Sequence, residues 1–298
     1  MQQKSNSMLF IKASLFFIIS LFISSSNDVL MRFLGERLDS FQVAWFRFFF
    51  GTLSLLPFML YYGKKSFYTS RPFIHFIRGA LLFVAVAAWS MGLSAKDVPF
   101  TLATTMSFTV PIFVLILAYI FLKEKIALSR WAAAILGLFG ILVSLEVHSA
   151  DFNIYSLVFL ISVIFFASLD IINKVLIVKE STLAMLFYSA LVTTIIGFIP
   201  AILVWQNPTL NELFLLFILG AGGNLILYFI LKAFALVDVS ALAPLRYVEI
   251  IFSTAFAYFL FHEQLKNSIL LGCAIIIPAT LFLAYTEAKK TKFEKERM

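Results

Sequence analysis

Long apolar runs joined by short links constrain this chain more than any other feature. Segments of mainly apolar residues fall at 8–33, 41–62, 73–94, 98–121, 128–146, 153–176, 182–205, 211–236, 240–261 and 267–286. A helix needs about 20 such residues to cross a bilayer, and each of these runs approaches or exceeds that length. The links between them leave no room for a folded domain outside the membrane. Of the 298 residues, 62% are hydrophobic and 13% charged, against roughly 25% charged in a soluble domain. A surface this poor in charge cannot face water, so lipid must be its solvent. The expected fold class is therefore all-α integral membrane, with about ten transmembrane helices. The first run meets Asn27 and Asp28 with no small-residue cleavage pattern, so a retained helix is expected rather than a signal peptide.

The net charge of +7 lies between the apolar runs and at the C-terminus, not along one stripe. That placement speaks against a nucleic-acid partner and for topology signals that face anionic membrane lipid. With the N-terminus inside, Lys64, Lys65, Arg71, Lys123, Lys125, Arg130, Lys179 and the basic tail from Lys289 all fall on the inner side. The outer side holds little beyond Arg32, Arg37, Lys96 and Lys266. Both termini are expected in the cytoplasm, across the inner (plasma) membrane of a bacterium.

The chain also repeats. Asp28 and Arg32 close the first run, and Asp170 and Lys174 close the sixth, each an acid and a base one helical turn apart. Pro57 and Pro200 lie late in the second and seventh runs. Asp97-Val98 and Asp238-Val239 precede the fourth and ninth, and Glu124 and Glu263 follow them. Residues 1–150 and 151–298 therefore read as two five-helix repeats, the second carrying the tail. Five is odd, so the second repeat must enter the membrane inverted relative to the first. Inverted repeats are the mark of secondary transporters, with the substrate at the midplane between the halves.

Ionisable side chains within the bilayer cost roughly 2.5–3.5 kcal/mol each on insertion scales, so each needs a partner, water or a task. The ninth run is the richest, with Pro244, Arg246, Tyr247 and Glu249 inside three turns. Arg246 and Glu249, at i and i+3, are spaced to neutralise one another. Asp28 with Arg32 is a similar candidate, and Arg78 is placed to snorkel to the interface. The candidate substrate-binding residues are Arg246, Tyr247, Glu249, Asp170, Lys232, Tyr228, Asn224 and Trp89. The candidates for coupling or gating are Asp28, Arg32, Lys174, Pro111 and Pro244. The stretch Gly220-Ala-Gly222-Gly223 and the pair Ala133 and Gly137 read as close helix packing. His75, His148, His262 and the single Cys273 lie too far apart for a metal set. No nucleophile, phosphate loop or cofactor fingerprint is present, so neither enzyme chemistry nor a cofactor is expected.

Arg47, Arg78-Gly79 and Phe121-Leu-Lys-Glu124, in this order within ten spans, resemble the drug/metabolite transporter superfamily, EamA type. Further blocks sharpen the likeness: Ser24-Ser-Ser-Asn27-Asp28, Phe46-Arg47, Leu169-Asp170-Ile-Ile-Asn173-Lys174, Met185-Leu-Phe-Tyr188-Ser189 and Ala243-Pro244-Leu-Arg246-Tyr247-Val-Glu249. They are similar to those of the S-adenosylmethionine uptake transporters of obligate intracellular bacteria. The resemblance implies import of S-adenosylmethionine as a small-molecule substrate, with S-adenosylhomocysteine as a counter-substrate. An exporter of amino acids or other metabolites on the same fold is the alternative. By the charges of the two solutes alone, that exchange would carry one positive charge inward, driven by the membrane potential.

Overall fold

A computed structural model describes residues 2–95, 98, 106–107, 109–144 and 154–262, and scattered positions from 271 to 286. Every regular element among the described residues is helical. The helices are α1 (Gln2–Gly35), α2 (Ser40–Tyr62), α3 (Pro72–Ser94), α4 (Val110–Leu117), α5 (Leu128–Ser144), α6 (Ile154–Leu176), α7 (Thr182–Leu203), α8 (Leu210–Phe234), α9 (Val239–Leu242) and α10 (Glu249–Phe261). Among the described residues, seven stretches are long and apolar enough to span a bilayer, one of them the combined Val239–Phe261. Two shorter apolar helices, Val110–Leu122 and Leu128–Gly140, accompany them. Nine of the twenty positions of the expected run 267–286, Cys273 among them, lie outside the described residues, as do Asp97, His148 and Glu263.

Polar caps mark where the helices enter. The Asp39 carboxylate accepts from the Phe41 amide at 2.8 Å at the start of α2, and the Ser181 hydroxyl accepts from the Ala184 amide at the start of α7. These are the second helices of the two halves. Thr209 and Glu212 form a reciprocal capping box at α8, which satisfies amides that would otherwise have no partner at a helix end. Arg37 reaches across from the turn after α1 to ion-pair with Glu212.

The ninth run departs from the expected single helix. It breaks into α9, a 3₁₀ stretch Ala243–Val248, and α10. Pro244 lacks an amide hydrogen and its ring clashes with a helical turn before it, and the tighter 3₁₀ winding accommodates both. Pro111 causes no such break, because it sits in the first turn of α4, where its missing donor costs nothing.

The two halves meet through mirrored contacts. In the principal contacts α1 packs on α8, and α6 on α3; α2 packs on α8, and α7 on α3; α2 also packs on α7. Hydrogen bonds stitch these seams. Asn27 Nδ2 donates to the Leu219 carbonyl at 3.0 Å between α1 and α8. Ser162 Oγ donates to the Ala85 carbonyl at 2.6 Å between α6 and α3. Trp45 Nε1 donates to the Thr194 carbonyl at 3.0 Å between α2 and α7.

Small residues let the backbones touch. A Cβ on Gly220 would lie 2.6 Å from the Arg47 carbonyl oxygen and 2.7 Å from the Gly51 amide nitrogen. Both obstacles are backbone and cannot rotate aside. One on Gly79 would lie 2.5 Å from Val192 Cγ1 on α7. Overpacking of this kind costs about 1–3 kcal/mol. Gly220→Val is therefore expected to lower the melting temperature of the detergent-purified protein by several degrees. An unchanged melting curve would show that α2 and α8 separate freely.

Candidate functional site

A cavity of about 160 Å³ lies where the two halves meet. From the first half it is lined by Ser24, Asn27 and Asp28 on α1, Arg47 and Phe48 on α2, Arg78, Leu82 and Trp89 on α3, and Ser107 and Val110 at α4. The second half contributes Phe166, Leu169, Asp170 and Asn173 on α6, Ser189 and Ala190 on α7, and the face of α8 that carries Gly223, Ile226, Leu227 and Ile230. Arg246 and Glu249 complete it. Three guanidinium groups and three carboxylates thus face one space inside an apolar bundle.

The broken ninth segment explains which of its residues turn inward. In a 3₁₀ helix residues three apart eclipse one another, so Arg246 and Glu249 both face the cavity. Tyr247, one position on, turns away. Its ring packs against Gly137, where a Cβ would come within 2.1 Å of Cε2, and its hydroxyl donates to the Ala134 carbonyl at 2.7 Å. Tyr247 is fully buried and anchors the segment to α5 rather than facing the cavity. The spacing that favoured an Arg246–Glu249 pair holds, but the partner differs. Arg246 ion-pairs with Asp170 of α6, and its guanidinium lies 5.3 Å from the Phe17 ring centroid. Glu249 instead accepts from Ser25 Oγ of α1 at 3.5 Å.

Trp89 and Asp28 are brought together, with Trp89 Nε1 donating to Asp28 Oδ1 at 2.9 Å. Phe159 and Phe166 hold the indole edge-on. Arg32 does not neutralise Asp28. It donates to the Val98 carbonyl at 3.1 Å and lies over the Phe261 ring, beyond the cavity. Lys174, its counterpart on α6, donates to the carbonyls of Phe234 and Val237 at 2.7 and 2.8 Å. It thereby caps the end of α8, where a cation also meets the negative end of the helix dipole. Arg32 and Lys174 thus bond carbonyls at or just after a helix end and do not line the cavity, and Pro111 and Pro244, near helix starts, do not line it either.

Asn224 lines the cavity at the edge of α8, with Nδ2 donating to the Gly51 carbonyl at 2.7 Å and to Ser54 Oγ at 2.9 Å. Tyr228 and Lys232 do not. At about 100° per residue they fall on the far side of α8 from Gly223, Ile226 and Ile230. The ammonium of Lys232 sits 5.4 Å from the Tyr228 ring, which is 37% exposed.

Arg47, Arg78, Asn173 and Ser189 line the cavity without having been among the chosen site residues. Arg78 does not snorkel. It is 2% exposed, with Nη2 donating to the Met185 carbonyl at 3.3 Å and Nη1 lying 3.4 Å from His75 Nδ1. The available signal was an ionisable residue within an apolar run, which Arg47 and Arg78 both carry.

A helical membrane bundle whose halves enclose a charged, solute-sized cavity is the architecture of a carrier. The description of the EamA-like transporter family matches residues 11–145 and again 153–285. The chain belongs to this family and is a multi-pass membrane transporter of a small molecule, not an enzyme. It is 52% identical over 92% of its length, and 93% of the relative's, to an S-adenosylmethionine uptake transporter of Rickettsia bellii. It is 49% identical to one of Rickettsia prowazekii, covering 94% of this chain and 95% of that one. A riboflavin transporter of Vibrio cholerae is 29% identical over 87% of each chain. A crystal structure superposes with a TM-score of 0.73 over 96% of this chain and 98% of that one, at 17% identity, which supports the fold alone.

Removing one partner of a buried ion pair strands the other, at about 3–5 kcal/mol. Asp170→Asn is expected to melt well below the parent protein in detergent, and Asp170→Asn with Arg246→Gln to recover part of the loss. Equal melting of Asp170→Asn and the parent protein would mean that the pair does not hold the purified protein together.

Proposed function

We propose that this protein imports S-adenosylmethionine across the bacterial inner membrane, with S-adenosylhomocysteine as counter-substrate. The observation that carries this reading is the cavity's set of opposite charges beside an indole. S-adenosylmethionine has a sulfonium, an ammonium, a carboxylate and a flat base. Three arginines, three acids and Trp89 offer complements to each. Relatives of about half identity that bear the name of that uptake activity point the same way.

The frame we infer has ten spans in two inverted five-helix repeats, residues 1–150 and 151–298, with both termini cytoplasmic and annular lipid around them. Support comes from the mirrored contacts of α1 on α8 and α6 on α3, from the caps at the starts of α2 and α7, and from the cations Arg32 and Lys174, each reaching the link that follows the third helix of a half. The basic residues concentrate on one side in this arrangement.

Proteoliposomes holding the purified chain are expected to take up radiolabelled S-adenosylmethionine saturably. S-adenosylhomocysteine should block uptake, and methionine or adenosine alone should block it far less. No uptake in vesicles shown to contain folded protein would overturn the substrate and return it to a screen of metabolites.

A further inference from the structure

The charges in the cavity do not pair off. Arg246 is committed to Asp170. Arg78 is engaged with His75 and the Met185 carbonyl. Arg47 donates to the Met31 sulfur at 3.3 Å and lies over the Phe48 ring. Two acids remain, Asp28 and Glu249. Among the described residues, neither has a basic nitrogen within 4.0 Å of its carboxylate oxygens.

These two acids are neighbours. Ser25 Oγ donates to Glu249, and Asp28 follows Ser25 by three residues on α1. That is about 4.5 Å along the helix axis on the same face. Each carboxylate therefore sits in the repulsive field of the other. The groups that face them come from every neighbouring element. Asp28 meets Trp89 of α3 by hydrogen bond and Arg47 of α2 at longer range. Glu249 meets Ser24 and Ser25 of α1 and, at longer range, Arg246 of its own segment. Two hydroxyls, an indole and distant guanidiniums do not replace a contact ion. Two buried carboxylates this close call for positive charge beside them, either a cation or a proton.

We propose that Asp28 and Glu249 form one cation subsite, occupied in turn by the substrate's sulfonium and by a proton. The inference rests on the S-adenosylmethionine reading. That solute brings two cationic centres, its sulfonium and its ammonium, one for each acid, while Arg47 receives its carboxylate. S-adenosylhomocysteine brings only the ammonium, because its thioether is uncharged, and the second acid then keeps a proton. The charges balance. One S-adenosylmethionine carries +1 inward, and one neutral S-adenosylhomocysteine leaves with one proton, also +1. The exchange moves no net charge, whereas the charges of the two solutes alone make it electrogenic. The solute gradients then drive the exchange, voltage does not act on it, and a proton gradient directed inward opposes it.

The test uses proteoliposomes of the full chain, loaded with S-adenosylhomocysteine and a trapped pH dye, and given external S-adenosylmethionine. The lumen is expected to lose about one proton per molecule taken up. The initial rate should be the same with and without an inside-negative potassium–valinomycin potential. Saturable exchange with no luminal pH change, accelerated several-fold by that potential, would overturn the proposal and leave the transport reading standing. No saturable S-adenosylmethionine uptake at all would overturn both.

Glu249→Gln, which has the shape of the protonated acid, gives a second measurement. It is expected to lose S-adenosylmethionine uptake by about tenfold or more while exchange of labelled for unlabelled S-adenosylhomocysteine persists. Equal loss of both, in a variant that elutes from size-exclusion as the parent does, would also count against the subsite.

Discussion

The ion pair between Arg246 and Asp170 sets the arrangement of the cavity. It joins α6 of the second half to the 3₁₀ segment between α9 and α10, a stretch that would otherwise be free to move where its helical hydrogen bonds are broken. With Arg246 fixed, the three-residue period carries Glu249 to the same face and against Ser25 of α1. The same rotation sends Tyr247 the other way, onto α5. One charged contact thus orients three side chains, and it consumes the nearest cation that could have neutralised Glu249. The unbalanced acids follow from that commitment.

The pair also shows how a bilayer protein handles ionisable groups. Among the described residues, three fates recur for charged side chains on the apolar runs, beside the ammonium-on-ring contacts of Lys12 and Lys232. Such a side chain closes against an opposite charge, as Arg246 does; it donates to backbone carbonyls, as Arg32 and Lys174 do; or it faces the cavity. Arg32 and Lys174 stand in corresponding positions of the two halves and share this second fate.

Much of the frame was legible in the sequence because lipid imposes length. The runs 41–62, 73–94 and 182–205 agree with α2, α3 and α7 to within a few residues, since apolar length and capping residues such as Asp39 and Ser181 are local signals. The 3₁₀ stretch was not legible in its geometry, although Pro244 marked its place. Partner choice was harder still. An i,i+3 or i,i+4 spacing makes a pair available, but tertiary contacts decide, and for Arg246 and Asp28 the partners came from other helices. Direction around a helix was legible in principle for Tyr228 and Lys232. Their polar ends sit opposite the glycine-rich face of α8, which turns inward because small residues permit close approach. Arg78 does not snorkel for a related reason: proximity to a helix end says nothing about whether a neighbouring helix covers a side chain.

The glycine contacts carry a consequence for how such a frame changes cargo. At Gly220 the backbones of α2 and α8 touch, and at Gly79 the backbone of α3 meets Val192 of α7. The Gly220 joint is main chain on main chain, so it does not depend on which side chains stand beside it. The side chains of Arg47, Phe48 and Leu82, within one or two turns of these joints, line the cavity, while it is the Arg47 carbonyl, not its side chain, that meets Gly220. Lining side chains that take no part in holding the helices, such as Phe48 and Leu82, can therefore change while the frame keeps its shape. A chassis of this kind suits a lineage in which one relative is named for S-adenosylmethionine and another for riboflavin.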